Sequence, residues 1–227
     1  MQNHLKSFSL ISLVLAAFIG LFASCSQNTP EIDQTDYSVI FDYSDDTTAP
    51  EARLSVFAES GSDVRRYQRI KITSLESDWT WDTQVLNQID SEEGQWAGCT
   101  NLVAPENEKL PVGVYEITYF NADEKECSVT IDVKYNLEIY DVLLPALPDF
   151  MRKNRGVEKI AVYDKDHILI FFGDRTAEYR SVRDIWNHFR DASTYQVIWY
   201  TSRGRTICIE PERPVSPDAD KKENDGQ

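Results

Sequence analysis

Apolar residues alternate with polar residues in short segments between Tyr37 and Lys134. Two neighbouring runs show this best: Tyr115, Ile117 and Tyr119, then Cys127, Val129, Ile131 and Val133. Such alternation places one set of side chains on a core face and the other set in water, as in a β-strand. Turn residues separate the segments, and in no segment do the apolar residues fall at helical spacing. The pattern therefore predicts an antiparallel β-sandwich over residues 37–134.

A different pattern begins after Tyr135. Residues 158–163 and 167–172 are rich in Ile, Val and Phe and flank a polar turn, which predicts a hairpin. We expect 175–180 to return as a third strand, and 195–201 with 205–210 to form a last hairpin. Two helices are predicted among these strands, so residues 135–210 are expected to form a small α+β domain with both helices on one side of an antiparallel sheet.

Local start and stop signals define the two helices. Pro145 and Pro148 mark the beginning of the first helix, and Gly156 marks its end. Ser181 is a suitable N-cap for the second helix, predicted over 182–191, because its hydroxyl can accept the amide hydrogen of Asp184. The apolar residues of that helix fall on one face at helical spacing: Val182, Ile185, Trp186 and Phe189.

The segment from Pro111 to Ile117, together with the hairpin that follows it, resembles the final strand pair of immunoglobulin-like or fibronectin type III-like domains. A Gly and a Tyr commonly open the penultimate strand there, and Gly113 and Tyr115 hold those positions here. The resemblance implies an immunoglobulin-like sandwich. It carries no information about a ligand, because such folds serve many functions.

The first residues have the pattern of a secretory signal, with Lys6 before an apolar run from Phe8 to Phe22 and small residues at its end. The sequence Phe22-Ala23-Ser24-Cys25 resembles the lipobox of bacterial lipoproteins. The resemblance implies cleavage between Ser24 and Cys25 and attachment of a diacylglycerol to the Cys25 thiol. An ordinary thiol behind a normal signal, or an uncleaved anchor, are the alternatives. We expect residues 1–24 to be the signal and 25–36 a disordered tether.

Charge is distributed unevenly along the chain, whose formal net charge is −15. Residues 25–134 contain 22 acidic and 8 basic residues, whereas 135–210 contain 11 of each. A strongly acidic surface repels phosphate backbones, which argues against nucleic acid as a partner. It also repels anionic lipid headgroups, so we expect the protein to contact the membrane through the lipid attached to Cys25. The polar segment 211–227 is predicted to be a disordered acidic tail.

Three cysteines remain after Cys25. If one disulfide forms, the pair Cys99 and Cys127 is favoured, because both lie in the first predicted domain. The alternative is that Cys99, Cys127 and Cys208 are all small apolar residues without a bond.

Residue types that usually perform catalysis are few. After the signal, the only imidazoles are those of His167 and His188, and no HExxH, CxxC, GxSxG or phosphate-binding glycine motif occurs. The acidic triplet Asp164-Lys165-Asp166 lacks the later ligands of a calcium loop. We therefore predict no catalytic residue, no metal site and no cofactor.

The pattern Asp78-Trp79-Thr80-Trp81-Asp82 is the most suggestive short motif. In a strand both indoles project from one face, and the two flanking carboxylates project from the opposite face. If that face is exposed, Trp79 and Trp81 with Asp78 and Asp82 can stack on a sugar or anchor a protein partner. The alternative is that the indoles fill the sandwich core.

These features together predict a lipid-anchored cell-envelope protein that acts as a non-enzymatic binding module. The expected partner, besides the membrane, is an envelope protein or a glycan. Ser26, which stands where some inner-membrane lipoproteins have Asp, favours the outer membrane, with the protein in the periplasm or on the surface. Two alternatives are a carbohydrate-binding or adhesion module using Trp79 and Trp81, and an envelope glycan hydrolase using paired carboxylates.

Overall fold

A computed structural model describes residues 29–61, 64–91, 94–105, 108–201 and 205–216. Its strands are β1 Gln34–Asp42, β2 Glu51–Glu59, β3 Tyr67–Ser74, β4 Thr80–Thr83, β5 Asn87–Ser91, β6 Gly94–Val103, β7 Gly113–Asn121, β8 Glu126–Val133, β9 Val157–Asp164, β10 Leu169–Asp174, β11 Ala192–Tyr200, β12 Thr206–Ile209 and β13 Arg213–Pro214. The α-helices are α1 Leu147–Lys153 and α2 Val182–His188. Short 3₁₀ helices span Val64–Arg66, Leu137–Asp141, Leu144–Ala146 and Ala177–Tyr179. The chain is therefore a β-rich α+β fold.

The strands form two sheets. The larger has nine strands in the order β10-β9-β11-β12-β1-β2-β6-β5, with β13 paired to β11. The smaller has the order β4-β3-β7-β8. Strand β1 runs parallel to β12, with Val39 opposite Thr206 and Asp42 opposite Ile209. Residues on both sides of the predicted boundary at 134/135 thus belong to one sheet.

One connected core extends along the inner face of the larger sheet. Its first part lies between the sheets, where Phe41 and Val56 of the larger sheet and Ile72 and Tyr119 of the smaller one are fully buried. The same cluster continues to Ile160, Met151 and Ile185, which links β9 to both helices. The alternating positions predicted to face inward on β7 are buried, because period-two alternation matches the pleat of the strand.

Both predicted helices form where their capping residues place them. Helix α1 ends at Lys153, and the residue in the left-handed conformation behind it is Arg155, with a φ of +60°, while the amide of Gly156 donates to the carbonyl of Met151 over 2.7 Å. Ser181 and Asp184 form a reciprocal capping box at the start of α2. Helix α2 ends at His188, earlier than the predicted Asp191.

Three expectations about local structure are wrong. The predicted third strand over 175–180 is the 3₁₀ helix Ala177–Tyr179, which the Thr176 side chain caps at its first amide. Strands β5 and β6 were not predicted, because every residue of β5 is exposed and the buried residues 97–99 of β6 are consecutive, so neither strand has an apolar alternation. The predicted tether and tail are partly folded, since Pro30 and Val215 are buried and β1 begins at Gln34.

Among the described residues, no helix combines the length and the apolar composition needed to cross a bilayer.

Candidate functional site

The two tryptophans of the sequence motif point inward at the margin of the smaller sheet. Trp81 lies opposite the buried Ile72 in the β3–β4 ladder, and both indoles pack against the core while remaining partly exposed. Trp81 donates its indole N–H to the carbonyl of Val103 over 2.8 Å, and its ring stacks on Tyr115 at 6.1 Å between centroids. These contacts favour a packing role for Trp81.

The two carboxylates that flank the tryptophans in the sequence do not share the environment of the indoles. Asp78 and Asp82 are exposed, and Asp82 accepts a bond from Arg69 over 3.1 Å. Arg69 also pairs with Glu124 and lies 3.7 Å above the ring of Phe120. The four motif residues therefore do not converge on one exposed site, and their role in binding stays a prediction.

All three described cysteines are free thiols, which is the second of the two alternatives. Cys99 lies on β6 of the larger sheet and Cys127 on β8 of the smaller one, without the bond that the sequence favoured. Burial raises the pKa of Cys99 to about 11, that of Cys127 to about 11 and that of Cys208 to about 12. These thiols are poor nucleophiles near neutral pH. Ser24 and Cys25 lie outside the described residues.

Both described histidines make close polar contacts with nearby residues. His167 Nε2 is 2.7 Å from Glu212 Oε1, and its ring stacks on Tyr163 at 4.7 Å between centroids. His188 Nδ1 is 2.9 Å from the carbonyl oxygen of Asp184 within α2. The carboxylate of Asp164 accepts hydrogen bonds from the backbone amides of Asp166 and Ile168 in the same turn. In the described part of the chain, no three His, Cys, Asp or Glu side chains are grouped as metal ligands.

An exposed apolar surface occupies one end of the larger sheet. Strand β10 is the last strand in the sheet order, and β9 is its strand neighbour. Large apolar side chains on β9, on β10 and just before β10 are exposed to solvent by 37% to 60%: Val157, Ile168, Leu169, Ile170 and Phe172. We call these five residues the apolar edge.

A lysine is held between aromatic rings within the apolar edge. The ammonium of Lys159 lies 5.2 Å from the centroid of Phe172 and 5.4 Å from that of Tyr200. It also pairs with Asp174 over 3.5 Å. The bond with the Tyr200 hydroxyl is the largest cause of the raised pKa of Lys159. The open face beside β10 thus combines apolar side chains with one fixed cation.

A cleft of about 360 Å³ lies near the first residues of β9 and is lined by Arg152, Glu158, Arg175, Thr176 and Arg180. We call it the arginine cleft. Arg152 comes from α1, Glu158 from β9, and the other three from the segment that follows β10. Because the predicted third strand is a capped 3₁₀ turn, Thr176 and Arg180 can reach the same cleft.

Arg175 is fixed by two bonds. Its Nη1 donates to Glu158 Oε1 over 2.6 Å, and its Nη2 donates to the carbonyl of Arg180 over 2.9 Å. Its Nε is buried and makes no hydrogen bond in the described structure. The guanidinium of Arg180 is exposed and has no hydrogen-bond or ion-pair partner among the described residues.

A buried carboxylate lies near the cleft. Glu210 is 6% exposed, accepts the indole N–H of Trp199 over 2.9 Å and pairs with Arg213 over 3.2 Å. Burial raises the pKa of Glu210 above its usual value, although the bond from Trp199 and the positive charges of Arg213 and Arg175 oppose the shift. The carboxylates of Glu158 and Glu210 thus both accept hydrogen bonds from donors of the protein. Such carboxylates are better suited to positioning neighbouring side chains than to transferring protons.

Sequence reasoning did not find the arginine cleft. Its lining residues are spread from 152 to 180 without a motif, and only folding brings them together. The one sequence signal was the equal number of acidic and basic residues in 135–210, which contrasts with the acidic first half.

No family model, curated protein or solved structure matches this chain.

Proposed function

We propose that this protein is a lipid-anchored, non-enzymatic interaction module of the bacterial cell envelope. The observation that carries the proposal is the apolar edge, where four exposed apolar side chains lie on or just before β10, a fifth lies at the start of β9, and the outer side of β10 has no partner strand among the described residues. Exposed apolar patches on soluble domains mark interaction sites, because burying them against a partner is favourable.

The lipobox-like sequence supports the anchor. Phe22-Ala23-Ser24-Cys25 follows an apolar run and precedes the polar residues 26–29. Several acyl chains on one protein hold it on a membrane more firmly than a single chain does, because each buried CH₂ contributes about 0.8 kcal/mol. The apolar edge is then free to engage a partner instead of lipid.

An immunoglobulin-like architecture for the first half is part of the proposal. The orders β1-β2-β6-β5 and β4-β3-β7-β8 correspond to the ABED sheet and to a CFG sheet extended by one strand. The hydroxyl of Tyr115, near the start of β7, donates to the carbonyl of Pro111 over 2.7 Å, like the tyrosine corner of such domains. Gly113 opens this strand with a φ of +125°, a backbone conformation that residues with a side chain rarely adopt.

The partner that fits the apolar edge is an extended segment of another protein with alternating apolar side chains. The backbone groups on the outer side of β10 have no strand to pair with in the described structure. An added strand would satisfy these groups and cover Leu169 and Phe172 at the same time.

Charge also favours this end of the molecule. Residues 135–210 have as many basic as acidic residues, whereas 25–134 carry most of the negative charge. Lys159 pairs with Asp174 and Lys165 with Asp166, so each of these carboxylates near β10 is offset by a lysine. An acidic or neutral segment therefore meets less repulsion at this edge than elsewhere on the protein.

The test is strand blocking in the full lipoprotein. We expect Phe172→Lys to abolish the crosslinked complex that the wild type forms with an envelope protein, because a charge on an edge strand prevents strand addition. Val85→Lys, which changes a residue that is 79% exposed elsewhere, is the matched control and should leave the complex intact. Circular dichroism would verify that both variants fold.

Two results would contradict the proposal. One is a complex that survives Phe172→Lys as well as it survives Val85→Lys. The other is the absence of any complex in cells in which Cys25 is labelled by a palmitate analogue and the protein is retained on membranes.

A further inference from the structure

We propose that the arginine cleft binds the oxyanion group of a small ligand, either a carboxylate or a phosphate. The site is separate from the apolar edge, and the proposal goes beyond the interaction function given above. It depends on the charge, the unused donors and the size of the cleft.

The cleft has a surplus of positive charge. Three of its five lining residues are arginines and one is a glutamate, in a protein whose net charge is −15. Glu158 is already paired with Arg175 over 2.6 Å and Asp149 with Arg152 over 3.0 Å, so Arg180 is the cleft arginine without a carboxylate partner among the described residues. Holding like charges close together is unfavourable, and an anion between them relieves the repulsion.

Donors of the cleft are available to such an anion. Arg180 is exposed, and its guanidinium has no partner among the described residues. A guanidinium presents N–H groups in a planar fork that matches a carboxylate or a phosphate.

Two of the three arginines are held in place before a ligand arrives. Arg175 is fixed by Glu158 and by the carbonyl of Arg180. Arg152 pairs with Asp149 over 3.0 Å and lies 5.6 Å above the ring of Trp199. Side chains that are positioned beforehand lose less conformational entropy on binding, which favours affinity.

Glu210, a carboxylate near the cleft, does not take the place of the ligand. Glu210 is buried and already bonded to Trp199 and Arg213. The cavity of about 360 Å³ is at the small end of the range for ligand sites, roughly 300–1,000 Å³. It fits a compact anion or the charged end of a larger molecule, while the acidic remainder of the protein repels a polyanion such as nucleic acid.

The test is isothermal titration calorimetry of the folded protein, in detergent, with inorganic phosphate and with citrate at low ionic strength. We expect binding of at least one of the two anions, weakened at least about tenfold by Arg180→Gln, because a charge-assisted hydrogen bond is lost. Arg183→Gln removes the same charge from an exposed position of α2 and should change the affinity less than about twofold, since only long-range charge is altered.

The two anions distinguish the source of the oxyanion. Tighter binding of citrate assigns the cleft to carboxylate ligands, and tighter binding of phosphate assigns it to phosphate ligands. The proposal is overturned if neither anion binds, or if Arg180→Gln and Arg183→Gln weaken binding equally. Because the assay uses isolated protein, its result does not depend on whether a partner binds the apolar edge.

Discussion

Trp199 donates its indole N–H to Oε1 of Glu210 over 2.9 Å, and both side chains are almost completely buried. Trp199 lies on β11, and Glu210 directly follows β12. On the other side, Glu210 pairs with Arg213 at the start of β13. Through these two contacts, Glu210 joins the hairpin β11–β12 to the segment that the sequence predicted to be a disordered tail.

The buried carboxyl makes stability depend on pH. Burial raises the pKa of Glu210 above its ordinary value of 4.5. A carboxyl with a higher pKa in the folded chain contributes stability that is complete below the unfolded pKa and is lost as pH rises through the folded pKa. The free energy of unfolding of the wild type should therefore fall relative to that of Glu210→Gln between pH 4.5 and neutral pH. Urea unfolding of both proteins measures it, and a difference that is constant or grows with pH would refute the expectation.

The hydroxyl of Tyr115 should contribute to stability, whereas that of Tyr43 should not. Tyr115 is fully buried and donates to Pro111, so Tyr115→Phe should lower the free energy of unfolding by about 1 kcal/mol, the usual net contribution of such a bond. The hydroxyl of Tyr43 is buried without a partner, and Tyr43→Phe should be neutral or stabilising. Chemical denaturation of both variants provides the comparison, and equal effects would argue against a special role for the corner.

Trp81 should act mainly through packing. Trp81→Ala removes the stacking on Tyr115 and the bond to Val103, and we expect a loss of about 2 kcal/mol, below the roughly 3–5 kcal/mol of fully buried aromatic residues. Trp79→Ala, which removes an edge contact at 5.8 Å and no indole hydrogen bond, should cost less. Thermal unfolding and a glycan array test this together. A Trp81→Ala protein of unchanged stability that no longer binds a glycan would support the carbohydrate-binding alternative instead.

Thiol titration distinguishes the two interpretations of the cysteines. Three free thiols besides Cys25 should react with a chromogenic disulfide reagent after denaturation, because Cys99, Cys127 and Cys208 are not bonded. In the folded protein Cys99 and Cys208 should react slowly, since burial limits access and keeps their pKa values at about 11 and about 12. A single reactive thiol in the denatured protein would show instead that two of the three cysteines form a disulfide, and peptide mapping would identify the pair.

Patterns between near neighbours predicted many of the local elements. The alternation along β7 and β8 gave both strands, because side-chain direction in a strand has a period of two. The capping box of Ser181 and Asp184 involves groups three residues apart, so the start of α2 could be predicted without any knowledge of the fold. The segment 175–180 shows the limit, since the packing of Tyr179 on Phe171 and Phe189 replaces the predicted strand with a 3₁₀ turn.

The sequence by itself determined which residues form most of the strands and helices, where the acidity lies and that 135–210 is charge-balanced. Only the tertiary structure decided that β1 pairs with β12, that β10 has no partner strand on its outer side in the described part of the chain, and that Arg152, Arg175 and Arg180 share one cleft. The physical reason is that caps and side-chain periods depend on nearby residues. Strand partners and clefts depend on which distant surfaces bury each other, and many alternating strands satisfy the same local pattern.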